Sequence, residues 1–177
     1  MLEVGERITG SRSDTWIQVT DRSDGKLSFE RGHAPNTGRA DPHYHLDFTQ
    51  TWEALDGEGE IEVNGETRPL RKGDRVVLEP GTPHRDPYLP GDGPLRIRGS
   101  FDPCTPFVES FADVWAHHLR EGTVDDQDQI PLIQILVIAE ETGARSYATG
   151  VPRILQRAGL PFIAAYGRLR GYKPSYD

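Results

Sequence analysis

Residues 43–84 read HYHLDFTQTWEALDGEGEIEVNGETRPLRKGDRVVLEPGTPH, and their pattern decides the fold class. Residues 60–63 alternate polar and apolar side chains, which predicts a strand with one buried and one exposed face. Asn64-Gly65 follows directly and favours a type I′ turn that leads into a return strand. A further strand is predicted at the apolar residues 75–78. The stretch is therefore typical of antiparallel β-structure.

Similar short segments lie on both sides of these strands. The chain has 19 Gly and 14 Pro among its 177 residues, and this content of turn-forming residues favours many short strands over long helices. Several strands with turn signals at short intervals indicate a barrel or a sandwich. The additional predicted strands are residues 15–20, 27–31, 51–55 and 95–101.

The C-terminal part of the chain has a helical pattern instead. Apolar side chains recur at spacings of three and four along residues 107–119, which predicts an amphipathic helix. Pro131 is suited to begin a second helix at residues 132–141. Residues 151–169 predict one or two more helices, with an interruption at residues 159–161.

Two regions follow from this change of pattern. We expect a mainly β fold, with a small antiparallel β-barrel at residues 1–102 and a helical C-terminal extension, residues 103–177, packed on the barrel. The last segment carries basic residues among apolar ones, and packing against the barrel is its favoured interpretation. Binding of a basic amphipathic helix to an anionic membrane is the alternative. These basic residues are Arg153, Arg157, Arg168, Arg170 and Lys173.

Composition and charge exclude several classes of protein. The formal net charge is -8, whereas a nucleic-acid-binding protein normally has an excess of Lys and Arg. Cys104 is the single cysteine, so an internal disulfide framework is excluded. The N-terminus lacks the pattern of a signal peptide, and no apolar stretch is long enough to be a transmembrane segment. We therefore expect a cytoplasmic protein without nucleic acid as a partner.

The candidate chemistry begins at His43 and His45. In an extended segment, residues i and i+2 point to the same face, so both imidazoles can reach a common point. Imidazole is the commonest protein ligand for divalent transition metals. A third histidine, His84, follows the turn Pro80-Gly81-Thr82-Pro83 at the start of a predicted strand. The sequence thus offers three candidate ligands for one metal ion.

These two motifs resemble those of the cupins. The first cupin motif is a glycine, then HxH, then a glutamate and then a second glycine. This chain has Gly38, His43-Tyr44-His45 and Gly57 at the matching positions, but it lacks the glutamate. The second motif runs from a Gly-Asp pair through a Pro-Gly turn to a histidine, here Gly73-Asp74, Pro80-Gly81 and His84. The resemblance implies a small antiparallel barrel with one divalent metal ion (Fe, Mn, Ni or Zn) at its centre. His43, His45 and His84 are the implied ligands.

The fourth ligand position departs from the family pattern. Where cupins usually have Glu, this chain has Gln50, with four residues between it and His45 and six between it and Gly57. Glu53 is a rival carboxylate, but strand parity places it on the face opposite Gln50. Asp47 is a further candidate if its loop bends inward. Gln50 is therefore the expected fourth ligand, and the alternative is a polar side chain that lines the barrel without touching metal.

The exchange of Glu for Gln has consequences for chemistry. Three neutral imidazoles and a neutral amide leave the charge of the ion uncompensated, which favours an anionic substrate or a bound hydroxide. A Gln also cannot act as a general base. Among the remaining residues, Trp52 is expected to pack in the core or to line the cavity. Asp86 is expected either to orient a histidine ring or to be a solvated turn residue.

Two functions remain open from the sequence. The first is a metal-dependent enzyme, an oxygenase or an isomerase, that acts on a small organic molecule. The second is a non-catalytic cupin that binds a small ligand and uses its metal for structure or recognition. Cupins have both roles, and the fold alone does not decide between them. The resemblance also implies a homodimer.

Overall fold

The computed structural model describes residues 2–176 as ten β-strands and three α-helices. The strands are β1 (Arg7–Thr9), β2 (Trp16–Ser23), β3 (Lys26–His33), β4 (His43–His45), β5 (Thr49–Val63), β6 (Glu66–Arg71), β7 (Arg75–Leu78), β8 (His84–Tyr88), β9 (Leu95–Asp102) and β10 (Ser146–Ala148). The helices are α1 (Pro106–Glu121), α2 (Leu132–Thr142) and α3 (Arg153–Leu169). The prediction of a mainly β, jelly-roll type fold with C-terminal helices is confirmed.

All strand pairs are antiparallel, and the strand order is β1-β2-β3-β9-β5-β8-β4-β10. Strands β6 and β7 also pair with β5. The inward faces of the strands carry the apolar side chains of the core, among them Ile17, Leu27, Ile61 and Ile97, all of which are fully buried. The core continues into α1 through Val114.

The hairpin at residues 64 and 65 forms as the sequence predicts. Both Asn64 and Gly65 have positive φ, as a type I′ turn requires, and Val63 pairs with Glu66 across it. By contrast, residues 51–55 and 60–63 are parts of one continuous strand, β5, and not two separate strands. The ladder of β5 is irregular at two places but is not broken there. Hydrogen bonding to partner strands on both sides thus outweighs the tendency of the Gly and Asp residues at positions 56–59 to form a turn.

Helix α1 begins and ends with the expected capping groups. The Thr105 side chain accepts a hydrogen bond from the Val108 backbone N–H, and Gly122 ends the helix in the left-handed conformation. The buried face of the helix includes Phe107, Trp115 and Leu119, and it joins the barrel core. Whether residues 103–177 are a unit distinct from the barrel stays a prediction.

Helix α3 differs from its sequence prediction in one way. It is a single helix that continues through Pro161, because proline removes only one backbone hydrogen bond and the next turns pack on α2. Its buried residues are Ala164 and Gly167, and Gly167 lies against Val137 of α2. The helix therefore packs on α2, and its first turns also contact β10, where the Gln156 side chain hydrogen-bonds to the backbone of Ala148. Packing of the extension on the barrel stays a prediction. Several of its apolar side chains are exposed, among them Ile154, Leu155, Phe162, Tyr166 and Leu169.

The helices were also compared with the requirements of a membrane span. Within residues 2–176, no helix has the length and apolar character needed to cross a bilayer.

Two glycines of the barrel test the role of close backbone packing. A Cβ atom at Gly57 would lie 1.7 Å from the backbone oxygen of Pro94, whereas a Cβ at Gly73 would have nothing within 4 Å; both residues have positive φ. We expect Gly73→Ala to lower the free energy of unfolding by about 1–2 kcal/mol, the cost of the left-handed backbone. Gly57→Ala should lower it by at least about 3 kcal/mol because a steric clash is added. Urea denaturation of both variants measures the difference, and equal losses would contradict this packing.

Candidate metal centre

The three histidines come together because two short strands pair across a long sequence separation. His43 of β4 is the direct cross-strand partner of His84 of β8. His45 lies two residues further on β4, so its side chain points to the same face as that of His43. The turn before His84 is fixed to β4, since the Gly81 backbone N–H donates to the His45 carbonyl at 2.6 Å. The HxH pair and the distant histidine are thus fixed relative to each other by backbone hydrogen bonds.

The geometry of the three rings suits a single ion. One ring nitrogen from each of His43, His45 and His84 lies within 4.8 Å of the other two. Nitrogens that share one ion at about 2.1 Å lie about 3.0–3.6 Å apart at ordinary ligand angles, so the most widely separated pair has to approach by roughly 1 Å. His84 is nearly fully buried, and its Nε2 has no hydrogen-bond partner within residues 2–176. A buried nitrogen without a partner, facing two other imidazoles, fits a metal ligand.

Hydrogen bonds at the opposite ring nitrogens orient the imidazoles. Nδ1 of His43 lies 2.7 Å from the Asp41 carbonyl, and Nδ1 of His84 lies 2.8 Å from the Thr82 carbonyl. A carbonyl can only accept, so both Nδ1 atoms carry the proton and both Nε2 atoms present a lone pair. Nδ1 of His45 lies 2.7 Å from the Ser146 hydroxyl. This is the arrangement that metal-binding histidines usually show.

The surroundings of His45 and His84 favour their neutral forms. Burial lowers the pKa of His45 well below its ordinary value, and the neighbouring His43 and His84 lower it further. Burial also lowers the pKa of His84, although the carboxylate of Asp86 partly opposes that shift. An imidazole binds metal only in its neutral form. Burial therefore favours the metal-binding form of His45 and His84.

Asp86 brings a carboxylate to the centre. Its Oδ1 lies 3.6 Å from His84 Nε2, and its Oδ2 lies 3.9 Å from His43 Nε2. Both separations are within the range allowed for two ligands of one ion. The side chain is 25% exposed, so this side of the centre is open to solvent. Of the two interpretations that the sequence allowed, contact with histidine rings is the one that the structure shows.

Gln50 and Trp52 hold this carboxylate in place. Gln50 Nε2 donates to Asp86 Oδ1 at 3.1 Å, and Trp52 Nε1 donates to the same oxygen at 3.2 Å. Gln50 Oε1 is buried and has no partner within residues 2–176. Gln50 therefore lies beside the histidines, linked to them through Asp86, and its role as a metal ligand stays a prediction. Trp52 is a core residue, 2% exposed, that also contacts the centre.

The two rival carboxylates form their contacts elsewhere. Asp47 binds Arg145, whose backbone N–H and Nε both donate to it. Glu53 forms an ion pair with Arg98 at 3.4 Å, on the outer face of the sheet. Neither carboxylate faces the histidines. The acidic group at the centre is Asp86, which the spacing from the HxH motif did not indicate.

Residues after position 102 also contribute to the centre. Strand β10 pairs with β4 and places Ser146 opposite His45. The ring of Phe107, from α1, lies 6.3 Å from that of His45, and the ring of Phe48 stacks on His45 at 4.5 Å. Sequence reasoning missed Ser146, because a three-residue strand next to a helix carries little pattern of its own.

The comparisons with known proteins agree with this geometry. The sequence profile of the cupin domain matches residues 32–98, which include all three histidines. The chain thus contains a cupin domain. No curated protein sequence matches the chain.

Two solved structures illustrate the structural likeness of this cupin. A sugar phosphate isomerase of the cupin superfamily from Silicibacter pomeroyi has 16% sequence identity and a TM-score of 0.50, with 60% of this chain and 76% of that chain covered. KdgF from Halomonas sp. has 22% identity and a TM-score of 0.41, with 49% of this chain and 77% of that chain covered. At such low identity, the likeness shows the fold alone.

Substitution of Asp86 tests its position at the centre. We expect Asp86→Asn to weaken binding of a divalent metal by about 10–100-fold, because the ion then loses the nearby negative charge. His84→Ala should abolish stoichiometric binding. Glu53→Gln is the matched control, because it removes a carboxylate from the outer face, and it should leave affinity unchanged. Competition with a chelator of known affinity measures all three. Equal affinities for Asp86→Asn and Glu53→Gln would refute this assignment.

A buried histidine outside the centre predicts a pH dependence of stability. His33 lies at the end of β3, and burial together with the charge of Arg31 holds its pKa well below 6.5. In the unfolded chain the pKa is about 6.5, so below that value the unfolded state binds more protons. The free energy of unfolding should then fall with decreasing pH, by up to about 1.4 kcal/mol per pH unit for each such histidine.

This dependence can be measured on the metal-free chain. Urea denaturation at about pH 7 and about pH 5.5 should give a lower free energy of unfolding at the lower pH, and His33→Gln should reduce the difference. An identical difference for His33→Gln and the unsubstituted chain would contradict the role of His33.

Proposed function

We propose that this cupin is a metal-dependent enzyme that acts on a small organic anion. The ion is held by His43, His45 and His84, and Asp86 supplies a negative charge beside it. The observation that carries the proposal is the contact of the Asp86 carboxylate with two of the three imidazoles. An ionisable group next to a metal centre is what a catalytic site needs in addition to the metal ligands themselves.

The roles of the individual side chains follow from their contacts. When bound, the ion acts as a Lewis acid on an oxygen atom of the substrate. The carbonyls of Asp41 and Thr82 fix the tautomers of His43 and His84. The amide of Gln50 and the indole of Trp52 both donate to Asp86 Oδ1, the oxygen beside His84, while Oδ2 lies beside His43. The exchange of the usual Glu for Gln is thus accompanied by a carboxylate from a different strand.

Two reaction types fit this centre, an isomerisation and an oxygenation. The isomerisation has one further point of support, because the Silicibacter pomeroyi cupin with a TM-score of 0.50 is itself a sugar phosphate isomerase. A shared fold does not transfer an activity. We therefore propose an isomerisation. Oxygenation is the alternative, and experiment has to distinguish the two reactions. The homodimer that the family resemblance implies stays a prediction, which analytical ultracentrifugation tests.

Metal analysis joined to activity assays tests the proposal. Purified protein should contain about one equivalent of a divalent transition metal per chain. It should convert at least one member of a panel of phosphorylated sugars and hydroxy acids without consuming oxygen. His84→Ala should lose both the metal and the conversion, whereas His117→Ala, a histidine substitution on α1 outside the centre, should keep both.

The possible results separate the interpretations. Conversion coupled to oxygen uptake would assign an oxygenase in place of an isomerase. Metal binding without conversion of any compound would favour the non-catalytic ligand-binding cupin. A protein that binds no divalent metal at equilibrium would overturn the proposal as a whole.

A further inference from the structure

Unpartnered polar atoms are concentrated inside the barrel. Seven buried side-chain nitrogen and oxygen atoms lack a hydrogen-bond partner within residues 2–176, and six of them belong to residues on inward faces of the barrel. Gln50 and His84 lie at the metal centre, and Arg31 and His33 lie on β3. Buried polar groups in proteins are nearly always hydrogen-bonded, so such a concentration indicates groups that a bound molecule completes. Arg31 is the charged member of this set.

Arg31 is a guanidinium in an apolar setting. It is 8% exposed, and its neighbours on the adjacent strands are Ile17 and Ile97. The Trp115 ring of α1 lies 4.4 Å from its central carbon. Nε and Nη2 are both buried without a partner. These two nitrogens carry N–H groups on the same edge of the guanidinium, which is the edge that binds a carboxylate with two parallel hydrogen bonds.

Arg31 remains charged in spite of its burial. Burial lowers its pKa to about 10, while the carboxylates of Asp128 and Asp86 act in the opposite direction. At neutral pH the side chain is therefore a cation. Within the described residues neither carboxylate forms an ion pair with it, and Asp128 instead accepts hydrogen bonds from Ser13 and Thr15. A buried cation without a hydrogen-bonded counter-ion is costly, and an anionic ligand would remove that cost.

The guanidinium and the metal centre lie under the same helix. Phe107 of α1 contacts His45, and Trp115, two turns later on the same buried face, covers Arg31. Eight residues of helix correspond to about 12 Å, which limits the separation of the two sites. Asp86, which borders the histidines, also raises the pKa of Arg31 against the effect of burial.

We propose that Arg31 binds a carboxylate of the substrate while another oxygen of the same molecule faces the metal centre. The proposal deepens the proposed function, on which it rests, by assigning the substrate to the small carboxylic acids. A carboxylate is planar and singly charged, so it neutralises one guanidinium. A phosphate group is bulkier, and its second charge would be repelled by Asp86 and Asp128, which already lie close to Arg31.

Binding of succinate and of its uncharged analogue succinamide tests this assignment. Calorimetry on metal-loaded protein should detect succinate and not succinamide. Arg31→Met should weaken succinate binding at least tenfold and leave metal content unchanged. Arg75→Met, at an exposed arginine on β7, is the matched control and should bind succinate as the unsubstituted chain does.

Stability provides a readout that separates a binding role from a structural one. Because Arg31→Met replaces a buried unpaired cation by an apolar side chain of similar length, the urea midpoint of the ligand-free variant should be unchanged or higher. A large decrease of that midpoint would show that Arg31 serves the fold and would overturn the assignment.

The remaining outcomes are also decisive. Equal succinate affinity for Arg31→Met and Arg75→Met would overturn the proposal. Tighter binding of inorganic phosphate than of succinate would overturn the carboxylate class. Succinate binding that persists in metal-free His84→Ala and is lost in Arg31→Met would support the Arg31 site even if the proposed metal-dependent activity failed.

Discussion

Strand β5 passes along the whole barrel and pairs with β6, β7, β8 and β9, so most of the structure depends on its continuity. Gly57 is the point at which that continuity is most constrained, because the Pro94 carbonyl occupies the place of a side chain and φ is positive. One half of β5 carries Gln50 and Trp52, and the other half ends beside His84. A single strand thereby connects the groups that hold Asp86 to a histidine of the metal centre.

The centre combines two kinds of restraint. Backbone carbonyls accept from the Nδ1 atoms of His43 and His84, which sets the ring tautomers whether or not metal is present. Asp86 is restrained by side chains instead, through Gln50 and Trp52. The position of the negative charge therefore depends on Gln50 and Trp52, and the glutamine that stands where cupins usually have glutamate helps to position a carboxylate.

The helical part of the chain is also part of this site. Ser146 contacts His45, Phe107 packs beside it, and Trp115 covers Arg31. The barrel strands alone would leave these groups open to water, where charge interactions are weaker. Helix α3 takes no part in this cover, because its buried residues pack on α2 and most of its apolar side chains remain exposed.

Features of the site and fold that depend only on residues close together in the chain could be predicted from the sequence. Strand parity predicted that His43 and His45 share a face, Asn64-Gly65 predicted the hairpin, and the resemblance of the second motif to that of the cupins indicated His84. Tertiary structure alone decided that Asp86 faces these histidines, because its direction depends on pairing between β4 and β8, whose paired residues are about forty positions apart. The burial of Arg31 could not be predicted from the sequence pattern either, because a charged residue in a strand is expected to be exposed.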